Sequence, residues 1–168
     1  SNQSVTLADS PTLSVKQVTM GVWVNISGGT GTFQVPAWKN VDYEISIDSA
    51  RNPRFGISTA GGRTAVTTSG HVLNLDQWYY LTLTYDGTTI KGYLDGKEIL
   101  SQAHANPGDI RDTTANVTLS DPSYDVKGSV DDLRIYNYPR TPQQIIQDMN
   151  AGHPAGGSPI GSQMAYWK

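Results

Sequence analysis

The sequence predicts an all-β sandwich in which two antiparallel layers enclose one core, with one short helix near the C-terminus. Three observations lead to this prediction: a three-strand meander over 78–100, seventeen Gly and nine Pro placed between short runs rich in Val, Ile, Thr and Tyr, and a single helix signal at Thr141. Turn residues between short β-forming runs are typical of many strands joined by many turns.

The meander rests on alternation and on one turn signal. Apolar residues alternate with other residues over 81–85 and over 90–94, on either side of a break at Asp86-Gly87. Asp95-Gly96 supplies the two positive φ angles of a tight primed turn, which would send 97–100 back antiparallel. Such a meander has one apolar face and needs a second layer to cover it.

The remaining elements follow from the same patterns. Further strands are predicted at 4–7, 18–24, 43–47, 55–57, 64–68, 117–119 and 128–137, whereas 27–31 and 36–40 resemble loops. Thr141 is a predicted N-cap, with Pro142 in the first turn and Gln144 completing a capping box, and Gly152 would end the helix. Its inward face would contain Ile145, Ile146 and Met149.

Composition excludes several classes of function. A chain of 168 residues forms one domain by default, and a net charge of −3 with scattered basic residues does not support binding to nucleic acid. No apolar run approaches the ~20 residues of a membrane helix, so membrane insertion is not expected. The chain has no Cys, which excludes disulfides and thiolate chemistry.

Five residues are candidates for ligand contact. Trp23 lies on the polar face of its predicted strand, where it would be either covered by a loop or tail or used as a stacking platform. Trp38 would be a lid on the core or a ligand contact. Tyr43, Arg54 and Arg63 would complete the surface; for both arginines the alternative to contact with a bound anion or sugar is a solvated loop charge.

Asp131 is a candidate of another kind. Alternation over 128–137 places Asp131 on the apolar side with Leu133 and Ile135, and places Asp132 and Arg134 outside, where they could pair. A carboxylate on the apolar side must be satisfied by backbone N–H groups or by a cation.

Three motifs carry a family resemblance: Trp78 followed by LTLTYDG (81–87), YLDGK (93–97), and GSVDDLRIYN (128–137). Together with weaker matches they span most of 4–152, and the chain resembles the laminin-G-like modules of the concanavalin A-like lectin and glucanase superfamily. The resemblance implies a curved two-sheet jelly roll on a secreted or cell-surface protein, where such modules bind glycans or proteins or act as spacers.

The resemblance also bears on metals and catalysis. Asp131 matches an aspartate that helps to hold a structural calcium in related proteins; a hydrogen-bonded aspartate is the alternative. Hydrolases of the superfamily carry closely spaced acids on one strand, but Glu44 and Glu98 each lack an acid two residues away. We therefore expect no enzyme activity and no catalytic residues.

The end of the chain departs from the family pattern. The module is predicted over 3–152, followed by a Pro- and Gly-rich linker over 153–163 and an aromatic segment at 164–168. That segment resembles the first strand of the family, which is otherwise missing here. We expect it to begin a next repeat or to pair as an edge strand beside 128–137, in its own molecule or by strand exchange with a neighbour. Recognition or adhesion is the first functional hypothesis; a structural spacer and a glycoside hydrolase are the alternatives.

Overall fold

The computed structural model describes residues 3–151 and 163–167 and contains two six-stranded antiparallel sheets. Sheet A runs, in spatial order, β1 (Val5–Leu7), β10 (Val117–Leu119), β3 (Gln34–Lys39), β4 (Tyr43–Ile47), β5 (Pro53–Thr59) and β6 (Gly62–Thr67). Sheet B runs β12 (Gln163–Trp167), β11 (Gly128–Tyr136), β2 (Val18–Ile26), β7 (Trp78–Tyr85), β8 (Thr89–Leu94) and β9 (Lys97–Ala103). A 3-10 helix (Pro11–Leu13) follows β1, and α1 (Pro142–Asn150) follows β11. The predicted jelly-roll sandwich with one short helix is confirmed.

One hydrophobic core lies between the sheets. Alternate residues of the central strands enter it, as the period-two pattern requires. Sheet A contributes Tyr43, Ile45, Ile47, Phe55 and Ile57, and sheet B contributes Val18, Met20, Val22, Val24, Leu81, Leu83, Leu133 and Ile135.

The central meander is confirmed as β7, β8 and β9. Asp95 and Gly96 have φ angles of 50° and 77°, so the turn between β8 and β9 uses the two positive φ angles that its sequence predicts. The Asp95 carboxylate also accepts a 2.8 Å hydrogen bond from the Tyr80 N–H, which fixes the turn against β7.

The capping box of α1 is also confirmed. The Thr141 hydroxyl accepts from the Gln144 N–H, and the Gln144 side chain accepts from the Thr141 N–H. Ile145 and Met149, one turn apart, face sheet B, but Ile146 is exposed, so its predicted inward position is wrong. Adjacent helical residues point about 100° apart, and Ile146 lies at the edge of the packed helix face, next to Gly96 in the turn between β8 and β9. No helix in the described ranges has the length and hydropathy that a membrane crossing needs.

The prediction of a loop at 36–40 is wrong, because β3 extends to Lys39. The pairing register between β3 and β4 shifts between Gln34 and Ala37. Such a bulge accommodates Pro36, which cannot donate to a regular ladder. Trp38 therefore sits in a central strand of sheet A.

The terminal strand β12 pairs antiparallel with β11 of the same chain, with Leu133 opposite Trp167 and Ile135 opposite Ala165. Residues 152–162, which include Gly152 and most of the predicted linker, lie outside the described residues, as do the side chains of 163–167. The predicted domain boundaries and the strand exchange therefore stay predictions.

Candidate functional site

The outer face of sheet A brings several functional side chains together. Because Tyr43, Ile45 and Phe55 enter the core, their neighbours in β4 and β5 project to the other side. Across the sheet, Glu44 lies opposite Trp38 on one side and opposite Gly56 on the other. Residues at facing positions of neighbouring strands share a face.

Glu44 is the centre of an ion cluster on this face. Its carboxylate lies 2.6 Å from Arg54 Nη1 and 2.5 Å from Arg63 Nη2. The Glu44 side chain is 3% exposed, whereas those of Arg54 and Arg63 are 22% and 35% exposed. The Ser46 hydroxyl donates a further hydrogen bond of 3.3 Å to the same carboxylate. Two partly exposed cations thus share one buried anion, and the cluster carries a net charge of +1.

Aromatic rings border the cluster. The Tyr124 ring, from the connection between β10 and β11, meets Phe33 and Trp38 edge-on at centroid distances of 5.7 Å and 6.2 Å. The Arg54 guanidinium lies 5.5 Å from the Phe33 ring centroid, within cation–π range. The connection is anchored because the Val35 N–H donates to the Tyr124 carbonyl. We call Phe33, Trp38, Glu44, Arg54, Arg63 and Tyr124 the aromatic–arginine face.

Two of the five predicted ligand contacts lie elsewhere. Trp23 is on the outer face of sheet B, where its ring packs 5.3 Å from that of Tyr80 beneath α1. Tyr43 is 1% exposed and belongs to the core, so its prediction as a surface contact is wrong. Burial, followed by the nearby negative charge of Asp42, raises the pKa of Tyr43 well above its usual range. The structure therefore brings together Trp38, Arg54 and Arg63 and separates Trp23 and Tyr43 from them.

The predicted burial of Asp131 is also wrong. In β11, Asp132 and Leu133 together oppose Val22 of β2, so the strand contains one extra residue between Asp131 and Arg134. Asp132 takes a φ of 54° in this bulge. The bulge leaves Asp131 exposed and buries Asp132, whose carboxylate accepts hydrogen bonds of 3.1 Å from both Nε and Nη2 of Arg134. The predicted pair exists, but it is buried.

The surroundings of Asp131 fit calcium poorly. Calcium takes six to eight oxygen ligands. One Asp131 oxygen already accepts the Asp132 N–H at 2.8 Å, and in the described part of the chain no three His, Asp or Glu residues converge on a metal position. The structural calcium that the resemblance implies stays a prediction.

The two glutamates do not form a hydrolase pair. Glu44 lies in β4 of sheet A and is engaged by two arginines, whereas Glu98 lies in β9 of sheet B and is near Lys91. Glycoside cleavage needs two carboxylates on either side of one bond. Carboxylates projecting from two different sheets do not meet that requirement.

Sequence reasoning missed Phe33, Glu44 and Tyr124 as members of this face. A signal for Glu44 was present, because its place between Tyr43 and Ile45 assigns it to the face opposite the core. Tyr124 lies in an irregular connection, and no local pattern places its ring beside Trp38.

Comparison with known proteins supports the same architecture. The chain is 25% identical to mouse pappalysin-1 over 153 aligned residues, which cover 78% of this chain but only 9% of that protein's length. A candidate carbohydrate binding protein from Bacteroides ovatus superposes with a TM-score of 0.77 at 16% identity, over 100% of this chain and 49% of that one.

Domain 4 of AbnA, an extracellular arabinanase of Geobacillus stearothermophilus solved with arabinotriose, superposes with a TM-score of 0.61 at 24% identity, over 86% of this chain and 71% of that one. At these identities the superpositions establish the fold alone. A family model for laminin G domains matches residues 1–146. Its description is the concanavalin A-like lectin/glucanases superfamily. The chain therefore belongs to the concanavalin A-like lectin/glucanase superfamily.

Proposed function

We propose that the chain is a non-catalytic recognition module that binds a glycan on the aromatic–arginine face. The observation that carries this proposal is the pair formed by half-buried Trp38 and exposed Tyr124, beside two partly exposed arginines on the outer face of sheet A. Sugar rings present apolar C–H faces that pack on aromatic rings, while their polar groups need charged or polar partners nearby. This face supplies both kinds of partner.

Two findings from relatives support the proposal. The AbnA domain was solved with arabinotriose, and the Bacteroides ovatus protein is a candidate carbohydrate binder. AbnA is also an extracellular enzyme, which supports a secreted or cell-surface location for this module. The placement of Glu44 and Glu98 on separate sheets supports a non-catalytic role.

A glycan array followed by calorimetry on the best ligand tests the proposal. We expect Trp38→Ala and Tyr124→Ala each to weaken binding about tenfold, which corresponds to about 1.4 kcal/mol. Trp78→Ala is the matched control, because Trp78 is also exposed but lies on sheet B. Equal losses in all three variants, or no glycan bound by the unaltered module, would reject the aromatic–arginine face as a glycan site.

A protein partner is the second candidate, supported by a different surface. Val72 and Leu75, in the connection between β6 and β7, and Trp78, at the start of β7, are large apolar residues that remain exposed. Exposed apolar residues close together in the chain are common at protein contacts. In this case, Trp78→Ala would abolish partner capture from surface extracts, and Trp38→Ala would not.

A spacer role is supported by one feature of sheet A. Glu44, Ser46 and Ser58 on its outer face are buried, so the middle of this face is filled by protein side chains. The spacer proposal requires that neither the glycan array nor partner capture gives a signal that depends on Trp38 or Trp78.

A further inference from the structure

We infer that the aromatic–arginine face selects acidic glycans, with a sugar carboxylate bound by Arg54 and Arg63; this inference rests on the proposed glycan-binding function. The first argument is charge. One glutamate neutralises one of the two guanidinium groups, and in the described part of the chain the ion pairs of both arginines are with Glu44. The surplus positive charge is matched by one negative charge on a ligand.

The second argument is the number of hydrogen-bond donors. Each guanidinium carries five N–H donors in a planar fork. The ion pairs with Glu44 use Nη1 of Arg54 and Nη2 of Arg63. Both arginine side chains are partly exposed, so we expect further N–H groups of each guanidinium to be accessible to a ligand. Guanidinium groups bind carboxylates with charge-assisted bonds that are often bidentate.

The third argument is preorganisation. An arginine side chain loses considerable rotamer freedom when a ligand fixes it, which weakens binding. Here Glu44 and the Phe33 ring already hold the Arg54 guanidinium, and Glu44 holds that of Arg63. The Glu44 carboxylate is in turn buried and fixed by Ser46. The two cations are thus held in place before a ligand arrives.

The fourth argument concerns the type of acidic ligand. Arg54 adjoins Phe33, and Tyr124 and Trp38 continue the aromatic surface from there. A sugar ring lying on Tyr124 or Trp38 can direct its carboxylate toward the arginines. An acidic peptide would match the charge but would not need the neighbouring rings, so the aromatic surface favours the acidic sugar.

The test compares oligomers of galacturonate with their methyl esters, and sialyllactose with lactose, by calorimetry at low salt. In at least one pair we expect the acidic member to bind about tenfold more tightly, with affinity that falls as salt rises. Arg63→Gln should lower the affinity for that acid about tenfold and the affinity for the neutral partner by a much smaller factor, so that the acid–neutral ratio falls. Lys97→Gln is the matched control, since it removes one exposed positive charge from sheet B.

Glu44→Gln supplies a second variant. It keeps a hydrogen-bond acceptor beside both arginines but raises the net charge of the cluster, so the acid should bind more tightly. Thermal melts of each variant identify any that fail to fold. The inference is then decided on two results: the affinities of the variants that fold, and the acid–neutral comparison in the unaltered module.

The outcomes separate the inference from the function on which it rests. If acidic and neutral sugars bind equally and lose affinity in Trp38→Ala but not in Arg63→Gln, the face binds glycans and the acidic selectivity is refuted. Binding of oligoglutamate as tight as that of the acidic sugar would also refute it. If no sugar binding depends on Trp38, the proposed function itself fails.

Discussion

Gly56 makes the space in which Glu44 lies. The two residues face each other on β5 and β4, and a Cβ at position 56 would come within 2.9 Å of Glu44 Cγ and 3.1 Å of Ala65 Cβ. The absence of a side chain at position 56 lets the Glu44 side chain lie close against the sheet, where both arginines reach it. A single backbone position therefore supports the charge arrangement of the aromatic–arginine face.

We expect Gly56→Ala to lower the free energy of unfolding by about 1–3 kcal/mol, because the added methyl group overpacks a site without room for it. It should also displace Glu44 and weaken binding of any ligand that needs the arginines. Gly28→Ala is the matched control, since the nearest atom to its added Cβ would be 3.8 Å away. Urea denaturation of both variants measures the effect; equal stability would show that Glu44 relaxes without cost.

Local signals accounted for the parts of the fold that could be predicted. Alternation located the core strands, the Asp95-Gly96 pair located its turn, and the Thr141 capping box located the helix. Each signal acts over a few residues, so the sequence alone carries it. The alternation also showed Tyr43 in line with Ile45 and Ile47, which excludes it from the surface that contains Glu44.

The parts that were missed depend on contacts between distant segments. The extra residue of β11 at Asp132 is defined only by its pairing with β2, more than 100 positions away in sequence. A shift of one residue moves side chains to the opposite face. Trp38 meets Tyr124 across a similarly long separation, so only the assembled sheet shows that the two rings share a site.

The β11 bulge predicts opposite outcomes for two neighbouring aspartates. Asp132→Asn removes a buried carboxylate from Arg134, which is itself buried, and should lower the free energy of unfolding by about 3 kcal/mol. Asn tolerates positive φ, so backbone strain at position 132 would not contribute to this loss of stability. Asp131→Asn alters an exposed side chain and should change stability by less than about 0.5 kcal/mol. Chemical denaturation compares the two; a larger loss for Asp131→Asn would contradict the assigned bulge.

Thermal melts in calcium and in chelator test the calcium prediction. A ligand bound only by the folded state raises the unfolding midpoint. Because Asp131 is exposed and contributes a single carboxylate, we expect equal midpoints in the two conditions. A higher midpoint in calcium that disappears in Asp131→Asn would instead support the calcium site that the family resemblance implies.

Two adjacent isoleucines test how α1 packs on sheet B. Ile145 is fully buried against Tyr80 and Tyr93, whereas Ile146 is 43% exposed. Ile145→Ala should lower the free energy of unfolding by about 2–5 kcal/mol, because it leaves a cavity beneath the helix. Ile146→Ala removes the same atoms from a more exposed position and should cost much less. If the two variants lose equal stability, the orientation of the helix is wrong.

Buried tyrosines predict a loss of stability at alkaline pH. Desolvation by burial is the main cause that raises the pKa values of Tyr43, Tyr80 and Tyr136 in the folded protein. An unfolded tyrosine loses its proton near pH 10, whereas these folded ones keep theirs, so above pH 10 the unfolded state binds fewer protons. Stability should be complete below pH 10 and should then fall with rising pH, by about 1.4 kcal/mol per pH unit for each such tyrosine.

Tyr43→Phe isolates one of these contributions. It removes an ionisable hydroxyl whose contact with the Leu13 carbonyl is long, at 3.5 Å, so little hydrogen bonding is lost. Urea denaturation between pH 9 and pH 11 should show a shallower alkaline decline in this variant than in the unaltered protein, because one fewer buried phenol resists ionisation. Identical declines in the two proteins would mean that the Tyr43 hydroxyl ionises as readily in the folded state as in the unfolded chain, which is incompatible with its position in the core.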